Sequence, residues 1–196
     1  MDAAHWDTVY SSNDPRAVSW YEQQPDTSMR LIRSATAGGD VIDVGAGASE
    51  LADALVESGY GVTVLDVSAE ALKLVRARLA DRISYVTTDV LAWQPGRTYE
   101  VWHDRAVFHF LIDADDQGRY AECAAAAVRP SGMLVIGTFA PDGPEKCSGL
   151  TTARHDVDSL ARIFGRDFDL AHAERADHTT PWGASQSFTW AVFTRR

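Results

Sequence analysis

Between residues 38 and 140 short apolar runs alternate with stretches of helical spacing. Val41–Val44, Gly61–Asp66, Ile83–Val86, Tyr99–His103 and Met133–Phe139 are too short for helices and are bounded by turn residues, so they read as strands. Leu51, Ala54, Leu55 and Ser58 share one face of a helix expected over 49–58. Ala71, Leu72, Val75 and Leu79 do the same over 69–80, where Ser68 offers an N-cap oxygen and Glu70 suits the positive end of the helix. Another helix is expected over 114–128, and Pro130-Ser131-Gly132 marks a turn before the fifth strand. Strands alternating with helices predict an α/β protein whose parallel sheet is covered on both faces.

The flanks differ in character. Residues 1–37 read as helical and aromatic, with Trp6, Tyr10, Trp20 and Tyr21. Asp14-Pro15 separates a first short helix from a second segment, and Met29, Leu31, Ile32 and Ala35 place an amphipathic helix before the stop signal Gly38-Gly39. The rings either pack an N-terminal cap or form a lid that walls off a pocket. At the other end, Asp156–Phe164 reads as a helix, and Phe168–Arg175 and Ser187–Thr194 read as strands around Pro181-Trp182-Gly183. Such a pair can finish a parallel sheet with a reversed member.

The stretch Val41-Ile-Asp43-Val-Gly45-Ala-Gly47-Ala-Ser49-Glu50 runs from strand through a glycine turn into a helix. Glycines there allow a tight turn and let a ligand press on the backbone. A dinucleotide fingerprint needs a third glycine where this chain has Glu50, and Asp43 stands two residues before the turn. Two carboxylates repel a pyrophosphate but suit a cofactor with a positive end, such as S-adenosylmethionine. Asp66 closes the second strand, where a carboxylate can accept both ribose hydroxyls, with Val67 beside it. Asp89, just past the third strand, can accept from an exocyclic amine while Val90 packs on the ring. An NAD-dependent oxidoreductase is disfavoured by Glu50.

Asp43-Val-Gly45-Ala-Gly47, Asp66, Asp89 and Asp104 at successive strand ends resemble the class I S-adenosylmethionine-dependent methyltransferases. The resemblance covers roughly residues 38–140, and the reversed tail strands match that family's seven-stranded sheet. It implies a three-layer, Rossmann-like sandwich on a mostly parallel seven-stranded sheet with a reversed C-terminal strand. It also implies Asp43 and Gly45 near the methionine end of the cofactor, Asp66 on ribose, and Asp89 with Val90 on adenine. Ser49 departs from the family's third alternate glycine, but serine is small and can cap the helix.

The carboxyl edge of the fourth strand carries Trp102-His103-Asp104-Arg105-Ala106-Val107-Phe108-His109, at the edge where open α/β sheets bind ligands. Asp104 and Arg105 are candidates to position substrate and sulfonium, and His109 is a candidate proton acceptor. For an amine acceptor, Asp104, His109 and His178 are the candidate bases, whereas a thiolate needs none. The Trp-x-Asp-Arg-Ala run resembles a short stretch of the thiopurine and related thiol methyltransferases, and more loosely one in small protein-lysine methyltransferases.

Composition narrows the partners. The 196 residues fit one domain, read as a lid (1–37), a cofactor-binding core (38–140) and a substrate-side segment (141–196). A net charge of −10 without a Lys/Arg cluster disfavours nucleic acid. Cys123 and Cys147 are too few for a disulfide framework or a zinc site, so no metal is expected. The absence of a membrane-length apolar run and of a basic-then-apolar leader leaves a cytoplasmic protein, monomeric or weakly dimeric, as the expectation. The function expected is methyl transfer from S-adenosylmethionine to a small-molecule thiol, amine or hydroxyl. The rivals are a protein-lysine methyltransferase and a module that binds the cofactor without transfer.

Overall fold

The computed structural model describes residues 2–196. Helices α1 (Ala3–Ser12) and α2 (Asp26–Ala35) lead into β1 (Asp40–Val44), α3 (Leu51–Glu57), β2 (Gly61–Asp66), α4 (Ala69–Leu79), β3 (Ser84–Thr87), β4 (Tyr99–Arg105), α5 (Ala114–Ala127) and β5 (Val128–Phe139). A hairpin of β6 (Lys146–Cys147) and β7 (Leu150–Thr151) precedes α6 (Val157–Phe164), β8 (Phe168–Thr179) and β9 (Ser185–Arg195). Seven strands form one sheet in the order β3-β2-β1-β4-β5-β9-β8. All pairings among the first five strands are parallel, and β9 runs antiparallel to both its neighbours. This is the three-layer, Rossmann-like α/β sandwich with a single reversed C-terminal strand.

The two-residue repeat of the strands sorts the core into two halves. Val41, Val62, Val64, Val101, Val135 and Val192 face the helices α2, α3 and α4, meeting Ile32, Leu55 and Val75. Ile42, Val44, Leu65, Trp102, Leu134 and Phe193 face α5 and α6, meeting Tyr120, Ala124, Leu160 and Phe164. Because β2 and β4 lie on opposite sides of β1, the chain reverses its direction of travel there, and a crevice opens at the carboxyl ends of β1 and β4.

Helix α1 reaches this crevice from one side and is moored on α4. Ser68, the N-cap of α4, accepts from Ala71 N and donates from Oγ to Asp7 Oδ1 at 2.7 Å. Glu70 N donates to the same carboxylate oxygen at 3.2 Å, so Asp7 also serves the open N–H groups of α4.

Several elements depart from the sequence expectation. Residues 13–25 are not helical; they form an irregular strap between α1 and α2, broken at Asp14-Pro15 and at Pro25. Helix α3 starts at Leu51 rather than at 49, because Ser49 Oγ accepts from Leu51 N and the residues before it belong to the glycine turn. Pro130-Ser131-Gly132 lies inside β5, where Ser131 has φ +63° and the pairing with β4 shifts register. The tail strands extend four residues beyond Arg175 and begin two residues before Ser187, since antiparallel pairing carries on to the turn. The β6–β7 hairpin had no signal in the apolar pattern.

Phe164 is the pin of the second half-core, touching Phe108, Tyr120, Phe168 and Phe193. Phe164→Ala is expected to cost about 3–5 kcal/mol of folding stability, read as a lower midpoint in urea denaturation.

Candidate active site

The turn after β1 is built on two left-handed residues, Gly45 (φ +65°) and Gly47 (φ +56°). A side chain would strain both. A Cβ on Gly45 would also lie 1.8 Å from Val107 Cγ2, and one on Gly47 would lie 2.3 Å from Tyr10 Oη. Gly45 N and Ala46 N donate to Leu65 O at 2.7 and 3.2 Å. Gly47 N donates to Asp66 Oδ2 at 2.8 Å, while Asp66 Oδ1 accepts from Ser68 N at 2.7 Å. The ends of β1 and β2 are thereby tied into one surface. Burial pushes the Asp66 carboxyl up to about 6, against the pull of its backbone hydrogen bonds. Each of its oxygens retains a lone pair for a further donor.

Above this surface are two adjoining pockets. The first is lined by Gly45, Asp66, Val67, Thr88 and Val90 from the sheet and by Trp6, Tyr10, Trp20 and Phe110 above. The second is lined by Asp43, Gly45 and His103 from the sheet and by Tyr10, Trp20, Tyr21, Glu22 and Ser28. Tyr10, Trp20, Gly45 and Arg105 border both. Trp20 Nε1 donates to Tyr10 Oη at 3.3 Å, so α1 and the strap form a bar across one continuous cleft. Trp6 packs edge-on against Trp20 and Phe110, with ring centroids 5.8 and 5.1 Å apart.

Other expected site residues sit differently. Asp89 is absent from both linings; its Oδ1 accepts from Leu91 N at 2.9 Å, and Thr88 and Val90 on either side reach the cleft instead. Gly47 also stays out of the linings, covered by Tyr10. Glu50 turns towards Arg78 at 3.7 Å, so its charge does not stand free beside the turn.

Asp104 lies wholly inside the protein. Its carboxylate accepts from Val107 N at 3.0 Å, from Phe108 N at 3.1 Å and from the Tyr120 hydroxyl. It therefore shapes the loop after β4 and touches neither cavity. His109 is equally enclosed, stacked on Phe139 at 4.1 Å with neither ring nitrogen hydrogen-bonded. Burial, with Arg105 and His155 nearby, pushes it down to about 3, so it stays neutral. Arg105 alone of the three reaches the cleft. Its Nη1 donates to Trp20 O at 2.8 Å, and its Nη2 lies 3.0 Å from Glu22 Oε1.

Two residues outside the sequence-based set, His103 and Ser28, join Asp43 to complete the floor. Asp43 and His103 are opposite one another in the β1–β4 register, and His103 Nδ1 lies 2.7 Å from Asp43 Oδ1. The carboxylate accepts from Nδ1–H, and in the neutral ring Nε2 then accepts from Ser28 Oγ at 2.9 Å. All three side chains are buried. No motif spacing could have found this chain of hydrogen bonds, because Ser28 lies on α2 and only the strand register brings Asp43 to His103.

Residues 41–132 match a family model described as a methyltransferase domain. The matched stretch, just under half of the chain, is similar to that domain and contains the glycine turn, Asp66 and Asp89. It is 26% identical over 123 residues to a ubiquinone biosynthesis O-methyltransferase of Idiomarina loihiensis, covering 60% of this chain and 49% of that one. The chain thus spans about half the length of this curated relative. Among solved structures it is similar to the N-methyltransferase NodS of Bradyrhizobium japonicum in complex with S-adenosylhomocysteine (TM-score 0.75, 18% identity, 98% of this chain and 97% of that one). It is also similar to a 1,6-didemethyltoxoflavin N1-methyltransferase of Burkholderia thailandensis (TM-score 0.73, 20% identity, 87% and 77%). At these identities the likeness is one of fold.

The cleft fits the methyltransferase cofactor chemically. It offers the glycine cradle, acceptors at Asp66 and an apolar wall at Val90, and no lysine and only one arginine, already paired with Glu22, to meet a pyrophosphate. Among the described residues no helix is long and apolar enough to cross a membrane.

The Asp104 carboxyl is raised from 3.8 to about 6, first by burial, with the Tyr120 and Val107 hydrogen bonds pulling the other way. A folded value above the unfolded one means that the stability it confers is fully present below 3.8 and lost as the pH rises through about 6. The wild type's stability relative to Asp104→Asn should therefore shrink by up to about 3 kcal/mol between roughly pH 4 and 7.5, as measured by urea denaturation at both pH values.

Proposed function

We propose that the chain transfers a methyl group from S-adenosylmethionine to a small-molecule nucleophile bound in the cleft under the strap. In this reading Asp66 and Val67 hold the ribose, Val90 lies against the adenine in the first cavity, and Asp43 and Gly45 flank the methionine part in the second. S-adenosylmethionine, when bound, supplies an electrophilic methyl on a sulfonium, and the protein's part is to orient the acceptor and exclude water.

What supports a compact acceptor is the roof. Trp6, Tyr10, Trp20 and Tyr21 all border the cleft, and Arg105 and Glu22 cross-link the strap to the sheet above it. A protein substrate needs an open groove to extend a lysine to the same place.

The proton of a hydroxyl or amine acceptor has a destination in the chain Ser28–His103–Asp43. His103 Nε2 is the acceptor position, reached through the Ser28 hydroxyl, and Asp43 stabilises the imidazolium that forms. Asp104 and His109 have no such access. Asp104 acts on the reaction only through the loop that it shapes, and Arg105 acts as a positioning cation at the junction of the cavities.

An acceptor screen with radiolabelled S-adenosylmethionine against thiols, amines, phenols and lysate tests the function, with label expected in small molecules. Label confined to protein bands would overturn the compact-acceptor reading. With a hydroxyl or amine acceptor, His103→Gln is expected to lower kcat by about 10²–10⁴-fold and to flatten the acid limb of its pH profile, with little effect on a thiolate acceptor.

A further inference from the structure

The strap of residues 13–25 carries Trp20, Tyr21 and Glu22 into the cleft yet has no helix or strand to hold it. Two basic side chains of the core bind it instead. Arg105, at the end of β4, takes Trp20 O and Glu22. His178, near the end of β8 and outside the family match, lies with Nε2 at 2.7 Å from Ser19 O and Nδ1 at 3.3 Å from Glu22 Oε1. Its ring is buried edge-on against Phe188, so it has little freedom to turn away.

Both ring nitrogens of His178 thus face groups that only accept: a carbonyl oxygen and a carboxylate. A neutral imidazole has one N–H and would aim a lone pair at one of them, whereas the imidazolium donates to both. Burial pushes the Glu22 carboxyl up, but the His178 hydrogen bond and the Arg105 and His178 charges outweigh it and hold Glu22 below its usual value. Glu22 therefore stands as an anion between Arg105 and His178. The other titratable groups near this cluster are His103 on β4, which also acts on Glu22, and the Cys147 thiol of β6, on which Arg105 acts.

We propose that His178 is a positioning residue: in its protonated form it clasps the strap shut over the cleft, and its deprotonation releases the strap and speeds ligand exchange. This rests on the cleft's being the cofactor site. The direction is set by the donors: closure holds at low pH and weakens as the pH rises and the ring loses one of its two N–H groups. His178 is accordingly spent as a donor and is not a base for the acceptor.

S-adenosylhomocysteine serves as the probe, with its dissociation followed by stopped-flow tryptophan fluorescence, since Trp6 and Trp20 border the cleft. For the full-length wild type the dissociation rate should rise about tenfold or more between pH 6 and pH 9. His178→Gln and Glu22→Gln should each dissociate fast at every pH, and the double variant no faster than either alone. Thermal melts of the variants, expected to stay two-state, separate loss of the clasp from loss of the fold. A wild-type rate independent of pH, or a His178→Gln variant that keeps the wild-type pH dependence, would overturn the clasp while leaving the cofactor site standing. No binding of S-adenosylhomocysteine at any pH would overturn both.

Discussion

The structure turns on the left-handed glycine pair that closes β1. Because Gly45 and Gly47 adopt backbone angles that other residues resist, their N–H groups reach across to Leu65 O and Asp66, locking the ends of β1 and β2 together. The missing side chains leave two gaps, and the chain fills them from remote places: Val107 from the loop after β4, and Tyr10 from α1. The turn therefore sets the floor of the cleft, the seat of the roof and the position of the loop beside it.

A second constraint is electrostatic. A net charge of −10 is spread over a protein whose crevice buries Asp43, Asp66 and Asp104 within a few residues of one sheet edge. Buried carboxylates are tolerated when donors surround them, and each has a different set. Asp66 has backbone N–H groups, Asp104 has a tyrosine and two loop N–H groups, and Asp43 has a histidine. These partners decide which acid can meet a ligand. Asp66 and Asp43 keep faces on the cavities, whereas Asp104 is consumed by structure. Arg105 and His178 both reach Glu22, and so couple the core to a strap that has no regular structure of its own.

The alternation of strands and helices, the parallel sheet and its reversed last member were all legible in the chain. Strand periodicity and helix caps are local properties, and a parallel sheet follows once helices separate the strands. The glycine turn and Asp66 were legible for the same reason: the turn requires particular residues at particular spacing. Residues 1–37 read as helical with a break at Asp14-Pro15, yet the segment after that break, up to Pro25, is irregular, because the two prolines leave no room for a continuous helix. Among the chemical residues, His109 stood out as a lone histidine in an aromatic run, yet the fold encloses it against Phe139. His103, six positions earlier, drew no notice and lies on the cavity floor.

By itself, the sequence determined the α/β class, the order of its elements and the acidic glycine turn, because each depends on residues close together along the chain. Only the tertiary structure decided which polar groups act as a set. Asp43 meets His103 through the register of two strands 60 residues apart, Ser28 joins them from a helix, and Glu22 draws Arg105 and His178 from strand ends 73 residues apart. Spacing along a chain carries no record of such meetings; they exist only when burial holds the elements together and turns these donors and acceptors to one another.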